Sequence, residues 1–276
     1  MRTLRDAVYG VAVGDAVGLP VQFERRDTYH ISDMIGHGTF DMPAGSWSDD
    51  TSLTIATCDS IRRQGKVDIE DIRRRFEMWY NIGMYTPFGS AYDIGGTCAL
   101  AISRGHGMDD EYSNGNGSLM RIIPLAFVLD ITDQEIRKVS AITHAHQRAM
   151  NGCVYYIHIA KGLLEGRDLK ELILEYVPDG SIYSMAREIE NKSRDEISSS
   201  GYVVDTFVAA MWCLLNTDNY KDCILLAANL GSDTDTVAAV AGGLAGIMYG
   251  YESIPKEWIE TLQEKQVIDD TLFGEM

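Results

Sequence analysis

Basic residues are scarce in this chain of 276 residues: Lys and Arg number 24 against 41 Asp and Glu, a formal net charge of −17 at pH 7. Such a field repels phosphate backbones and anionic membrane surfaces, so non-specific nucleic-acid binding and membrane association are excluded unless bound cations reverse the sign locally. Long apolar runs are missing too. The longest, Val237 to Tyr249, falls short of the ~20 residues that cross a bilayer. The opening segment MRTLRDAVYGVAVGDAVG carries Asp6 and Asp15 where a secretory signal needs an unbroken apolar core, so a cytoplasmic protein is expected. The five cysteines, at 58, 98, 153, 213 and 223, are odd in number, far apart and without a C-x-x-C pair, which argues against a disulfide framework and against zinc. The six prolines fall singly, and no Ser/Gly-rich or like-charge run divides the chain. Residues 1–276 are therefore read as one domain, although the length allows two.

Strand signals are nearly absent, apart from a weak stretch at Tyr29 to Met34. What is present is helical periodicity. Leu4 to Val17 is small and apolar; Asp50 to Arg63 carries Leu53, Ile55, Ala56 and Ile61 and stops at Gly65; Ile69 to Tyr80 carries Ile72, Phe76 and Trp79 at helical spacing. Further helices are predicted over 120–129, 133–142, 147–164, 168–176, 181–190, 201–215, 219–228, 235–249 and 256–264. Val203 to Leu215 and Val237 to Met248 are apolar on nearly every side, the mark of central helices. Ala241, Gly242, Gly243, Ala245 and Gly246 point to close backbone packing, since glycine inside a helix costs about 1 kcal/mol against alanine. The expectation is an all-α, compact globule.

Two segments place paired aspartates at the mouth of an apolar helix. Gly45-Ser46-Trp47-Ser48-Asp49-Asp50-Thr51 precedes the helix from Leu53, and Gly231-Ser232-Asp233-Thr234-Asp235-Thr236 precedes the one from Val237. N-capping accounts for one such residue, because Ser, Thr and Asp accept from the free N–H groups of a first turn. It does not account for two aspartates with hydroxyls beside them in each segment. Asp233 and Asp235 would diverge by about 200° on a helix, so they are expected in the turn before it. If the two segments meet, four carboxylates converge without a lysine beside them, and Ser48 and Thr236 add hydroxyl oxygens. Such an all-oxygen cluster calls for divalent hard cations, Mg²⁺ or Mn²⁺, with two ions matching the charge and one also acceptable. A third segment, Ser113-Asn114-Gly115-Asn116-Gly117-Ser118, precedes a predicted helix near Leu119 and suits an anion cradle for a phosphate, with Arg121 supplying charge. The plain alternative is a turn.

Gly14-Asp15-Ala16-Val17-Gly18-Leu19-Pro20, Trp47-Ser48-Asp49-Asp50-Thr51, Tyr92-Asp93-Ile94-Gly95, Gly115-Asn116-Gly117-Ser118-Leu119-Met120-Arg121, Thr143-His144 and Gly231-Ser232-Asp233-Thr234-Asp235-Thr236 follow one another over about residues 4–250. In that order and spacing they resemble the ADP-ribosylglycohydrolases, the group typified by the dinitrogenase-reductase-activating glycohydrolase. The resemblance implies a compact, single-domain orthogonal helical globule with a dinuclear magnesium or manganese centre that holds the distal ribose of ADP-ribose. It implies a hydrolase that cleaves the N- or O-glycosidic bond to a modified protein side chain or small molecule, an arginine-type linkage being favoured. Carried onto this chain, the metal ligands would be Ser48, Asp49, Asp50, Asp233, Asp235 and Thr236, and Asp50 and Asp233 would also belong to the catalytic centre. Gly115, Asn116, Gly117 and Ser118 would meet the diphosphate, and His144 would lie on the adenosine side.

One position departs from the pattern. Several members have a glutamate where this chain has Gln22, which lines the substrate site on this reading and cannot take a proton. Asp93 matches an aspartate assigned proton transfer in the arginine-specific branch and is expected to be the acid/base residue; its alternative is a helix cap before Ile94-Gly95. General chemistry agrees. Two ribose hydroxyls suit a divalent cation, and a nearby carboxyl relays protons to the leaving nitrogen.

The remaining residues weigh less. His144 and His146 diverge if helical, so one belongs to the surface. Tyr202 could stack an adenine but equally opens an apolar helix. Three function classes follow: an ADP-ribosyl-acceptor hydrolase, a phosphoesterase-type metallohydrolase using the same site, and a non-catalytic ADP-ribose-binding or structural relative, which Gln22 favours. The oligomeric state is not legible in the sequence.

Overall fold

The computed structural model describes residues 2–274, and twelve α-helices form among them. They are α1 (Leu4–Gly18), α2 (Asp49–Gln64), α3 (Ile69–Ile82), α4 (Gly96–Arg104), α5 (Asp133–Ser140), α6 (Gln147–Leu164), α7 (Leu169–Tyr176), α8 (Val203–Leu215), α9 (Tyr220–Ala228), α10 (Thr234–Tyr249), α11 (Lys256–Thr261) and α12 (Lys265–Asp269). β-Structure is limited, among the described residues, to isolated bridges. A single apolar core runs from Leu4 on α1 to Phe273 beyond α12, so the expected all-α architecture is what forms. None of the described helices is long and apolar enough to cross a membrane.

The centre of the fold is the pairing of α1 with α10. A Cβ at Gly242 would overlap the carbonyl oxygen of Gly10, and one at Gly10 would overlap that of Gly242. The small-residue stripe therefore serves packing. At the far end of the same pair, a Cβ at Gly18 would lie 2.6 Å from the amide nitrogen of Asp235. Close approach along the stripe thus brings the C-terminal half of α1 against the first turn of α10, where the acidic motif lies.

Local chemistry explains most boundaries. Ser48, Asp68, Thr132, Asp168 and Asn219 accept first-turn N–H groups at the starts of α2, α3, α5, α7 and α9. Gly65, at φ 65°, and Gly83, at φ 67°, close α2 and α3 in the left-handed region. Three expectations fail. The predicted helix over 120–129 is a 3₁₀ segment, Ile123–Phe127, because Pro124 has no N–H to give an α-helix running through it. The predicted helix over 181–190 is two 3₁₀ turns, Ser184–Arg187 and Ile189–Asn191. Its buried residues, Tyr183, Ala186 and Ile189, recur every third position, the 3₁₀ period. The stretch from Tyr29 to Met34 pairs with no strand. The Asn229 amide takes that place, accepting from Ile31 N at 2.9 Å and donating to Ile31 O at 2.9 Å. Helix α4 is not among the predicted helices and figures in the sequence only as the helix that Asp93 would cap before Ile94-Gly95.

Candidate metal and ligand site

Asp15 organises one wall of the site. It lies on the apolar helix α1, wholly buried, and an unpaired carboxylate there would be costly. Its Oδ2 accepts from Ser48 N at 2.9 Å, Thr51 N at 3.1 Å and Thr51 Oγ1 at 2.6 Å, and its Oδ1 accepts from Ser48 N at 3.0 Å. These bonds fix the start of α2. The preceding residue is anchored as well: the Trp47 indole donates to Gln263 O at 2.9 Å, and the Tyr92 hydroxyl donates to Trp47 O. Asp49 and Asp50 are thereby presented from the first turn of α2, with Ser48 as the cap.

The second acidic motif sits partly inside α10 rather than before it. Asp233 occupies the N-cap position at φ −94°, ψ 65°, and Asp235 lies in the first turn. Asp233 makes no side-chain cap bond, so capping is not its role. Its Oδ2 accepts from Asn116 Nδ2 at 2.6 Å and its Oδ1 from Gln22 Nε2 at 3.4 Å.

Carboxylate oxygens of Asp15, Asp50 and Asp235 lie within 4.8 Å of one another, all buried. Asp50 Oδ2 is met by Ser48 Oγ at 3.1 Å and Thr236 Oγ1 at 3.4 Å. Asp50 Oδ1 and both oxygens of Asp235 are buried with no hydrogen-bond donor among the described residues. Three orphaned carboxylate oxygens with two hydroxyls form an all-oxygen donor set for a hard divalent cation. The protein already uses the oxygens of Asp15, so Asp50 and Asp235 are the free ones. Electrostatics agree. Burial, and then the neighbouring aspartates, push the carboxyls of Asp49, Asp50 and Asp235 well above the usual carboxylate range. Burial pushes Asp15 up to about 7 against the hydrogen bonds that hold it down. Positive charge relieves such a cluster.

A cavity of about 290 Å³ opens beside the cluster, lined among others by Gln22, Phe23, Asp49, Asp93, Asp233 and Thr236 and by Gly115, Asn116, Gly117 and His144. Asp93 lies in the left-handed region at φ 53°, and the cap of the following helix is Gly95, so Asp93 is not a cap. Burial, with the charge of Asp233, raises its carboxyl above the usual range, against the neighbouring Asp235 carboxyl and Gln22 amide, which lower it. Gln22 is buried, and its Oε1 has no partner.

The glycine-rich loop differs from the expectation. No α-helix begins at Leu119, and Ser118 turns away from the cavity, accepting from Ser140 Oγ at 2.9 Å. Asn116 instead ties the loop down, its backbone N donating to Gly201 O at 3.0 Å and its Nδ2 to Thr206 Oγ1 at 2.8 Å. Besides the acidic starts of α2 and α10, the mouth of α4 faces the cavity: Gly95, Gly96, Thr97 and Cys98 line it, and its N-cap makes no side-chain bond. Free N–H groups of that first turn are available to an anion.

Arg121 does not line the cavity. It is fully buried, its guanidinium 4.5 Å from the centre of the Phe76 ring. Tyr202 precedes α8, half-buried against the core, and is not among the residues that line this cavity. His144 and His146 are not on one helix. His144 lines the cavity, whereas His146 caps α6 and lies 3.5 Å from Glu111.

Sequence reasoning left out Asp15 and the mouth of α4. The signal for Asp15 was present, a lone carboxylate within an apolar helix. For α4 there was little, because Gly95-Gly96-Thr97 reads as a turn.

The ADP-ribosylglycohydrolase family model matches residues 2–275. Among curated relatives, the chain is 39% identical to an ADP-ribosylarginine hydrolase, Tri1, of Pseudomonas putida, over 96% of this chain and 75% of that one. It is 36% identical to the Tri1 of Serratia proteamaculans, over 96% and 76%. The ADP-ribosyl-dinitrogen reductase glycohydrolase of Rhodospirillum rubrum is 31% identical over 94% and 90%. A solved structure titled as an ADP-ribosylglycohydrolase-related protein complex superposes with a TM-score of 0.79 at 27% identity, covering 96% of this chain and 94% of that one.

Proposed function

The chain belongs to the ADP-ribosylglycohydrolase family, and on that premise we propose that it is a divalent-cation-dependent hydrolase that releases ADP-ribose from a modified protein or small molecule. The observation that carries the reading is the trio of donorless carboxylate oxygens on Asp50 and Asp235, buried beside a cavity of about 290 Å³. The relatives named as ADP-ribosylarginine hydrolases favour the N-glycosidic bond to arginine over other acceptors.

Asp50 and Asp235 would hold the cations together with the Ser48 and Thr236 hydroxyls, and Asp49 and Asp233 would complete the set on the cavity side. The charge of the cluster supports two ions, Mg²⁺ or Mn²⁺. When bound, they orient the distal ribose hydroxyls and withdraw charge from the sugar. The remaining work falls to the chain. Asp15 holds the start of α2 rigid, so that Asp49 and Asp50 keep their aim. Asn116 and Gln22 hold Asp233 in place. The N–H groups at the mouth of α4 and the Gly115–Gly117 loop receive the diphosphate, in a cavity whose lining holds no Lys or Arg among the described residues. Asp93, with its carboxyl raised by burial, delivers a proton to the departing nitrogen and recovers it from the incoming water.

A second reading, binding of ADP-ribose without turnover, is favoured by Gln22 alone, whose neutral amide cannot titrate. Incubating the purified protein with ADP-ribosylated arginine, serine and DNA base, with and without Mg²⁺, separates the two. Release of ADP-ribose from the arginine substrate supports the hydrolase. Tight ADP-ribose binding with no release from any of them supports the binder.

A further inference from the structure

We propose that Thr143, held from behind by Arg121, fixes the His144 ring as the tautomer protonated on Nε2, so that a hydrogen-bond donor faces the cavity. The Thr143 hydroxyl is fully buried. Two groups meet it: Arg121 Nη2 at 2.8 Å and His144 Nδ1 at 2.9 Å. A guanidinium only donates, so Arg121 occupies a lone pair of Oγ1. The hydroxyl hydrogen then needs an acceptor, and the strong one in reach is Nδ1; the Cys98 thiol alongside is a weak one. If Nδ1 carried the proton instead, it and Arg121 would take both lone pairs of Oγ1, and the buried hydroxyl hydrogen would be left with the weak Cys98 thiol alone.

Arg121 cannot swing away to release this arrangement. It is wholly buried, donates also to Val139 O at 3.3 Å and lies over the Phe76 ring. Its acceptors among the described residues are Val139 O and Thr143 Oγ1, neither a carboxylate. A buried guanidinium without a counter-charge does little for stability, and orienting Thr143 gives it a role. On the other side of the ring, a Cβ built on Gly115 would lie 3.4 Å from Nε2. That nitrogen therefore opens towards the glycine loop, with no protein acceptor among the described residues. Burial and the charge of Arg121 hold the ring neutral, down to about 3, so the tautomer alone decides what it offers.

The consequence rests on the ADP-ribose reading above. A diphosphate and its riboses present acceptor oxygens, and in a cavity lined by no Lys or Arg an imidazole lone pair would repel them. Thr143 is thus a positioning residue, acting on the ligand through His144.

Nitrogen-15 NMR of the histidine rings in the full chain reads the tautomer directly. The result expected is a bare Nδ1 and a protonated Nε2 on His144. Thr143→Val keeps the shape and removes the hydroxyl; it should mix the tautomers and weaken ADP-ribose binding by about five- to tenfold, the loss of one oriented hydrogen bond. Thr143→Ser should restore both. A wild-type ring protonated on Nδ1 overturns the proposal, whether or not the valine variant folds, and so does a valine variant with unchanged tautomer and affinity. A ring that responds as described in a protein that binds no ADP-ribose leaves the relay standing and refutes the ligand reading instead.

Discussion

Replacing Asp235 with Asn keeps the size of the side chain and removes its charge. In the cation-free protein, Asp235, Asp50 and Asp15 face one another within 4.8 Å. At that limit, and at an effective dielectric of about 20, each like-charged pair costs about 3 kcal/mol. The neutral amide relieves the two pairs that involve Asp235, so cation-free Asp235→Asn should melt above cation-free wild type. Cations reverse the order of benefit. A ligand at 100 times its dissociation constant adds about 2.7 kcal/mol to stability. At about 2–4 °C per kcal/mol for a domain approaching this size, wild type should gain about 5–10 °C with saturating Mg²⁺. The variant should gain less than about 2 °C, because its best free ligand is gone. Differential scanning fluorimetry at pH 8 on protein stripped of metal, the stripping checked by elemental analysis, measures all four values. If Asp235→Asn instead melts lower by the same amount with and without Mg²⁺, and both proteins gain equally from the ion, the residue is an ordinary buried helix-end group and the cation site is wrong.

Three further outcomes follow. Asp93→Asn should keep ADP-ribose binding by calorimetry while lowering kcat on ADP-ribosylarginine by about 10²–10⁴; full retained activity excludes Asp93 as the proton carrier, and a large gain on Gln22→Glu would identify a crippled hydrolase. His144 is held down to about 3 in the folded state by burial and by Arg121, from an ordinary value of 6.5, so the unfolded chain binds the extra proton as pH falls below 6.5. Wild type should therefore lose about 1 kcal/mol of stability between pH 6 and pH 5 that His144→Gln does not lose, as urea titrations at the two pH values will show. Gly242→Ala should destabilise by about 1–3 kcal/mol, because overlap with the Gly10 carbonyl outweighs the gain in helix propensity of about 1 kcal/mol; a rise in melting temperature contradicts the close α1–α10 contact.

The helices with a clear apolar period and an identifiable cap, such as α2, α3 and α6, were legible from the chain, as was the small-residue stripe of α10. Where the structure departs, the cause is specific. Pro124 breaks a pattern that otherwise reads as helix, Tyr183, Ala186 and Ile189 follow a period of three, and α4 opens on two glycines without a side-chain cap. In the site, the motif spacing singled out Asp49, Asp50, Asp233 and Asp235 together, but a spacing cannot say which carboxylates have donors and which have none. That distinction depends on Ser48 and Thr51 turning their N–H groups towards Asp15, a contact across 33 and 36 positions. For the same reason Ser118 and Arg121 looked like ligand contacts: the residues that face them instead, Ser140, Val139 and Thr143, come from another part of the chain.

The central claim is tested most directly by following ADP-ribose release from an ADP-ribosylated arginine substrate by the purified protein, first metal-stripped and then with Mg²⁺ or Mn²⁺ restored, alongside Asp50→Asn. Little release is expected without metal, release on restoring either ion, and loss of that rescue in the variant. Turnover that is equal with and without metal, or that survives in Asp50→Asn, would contradict it.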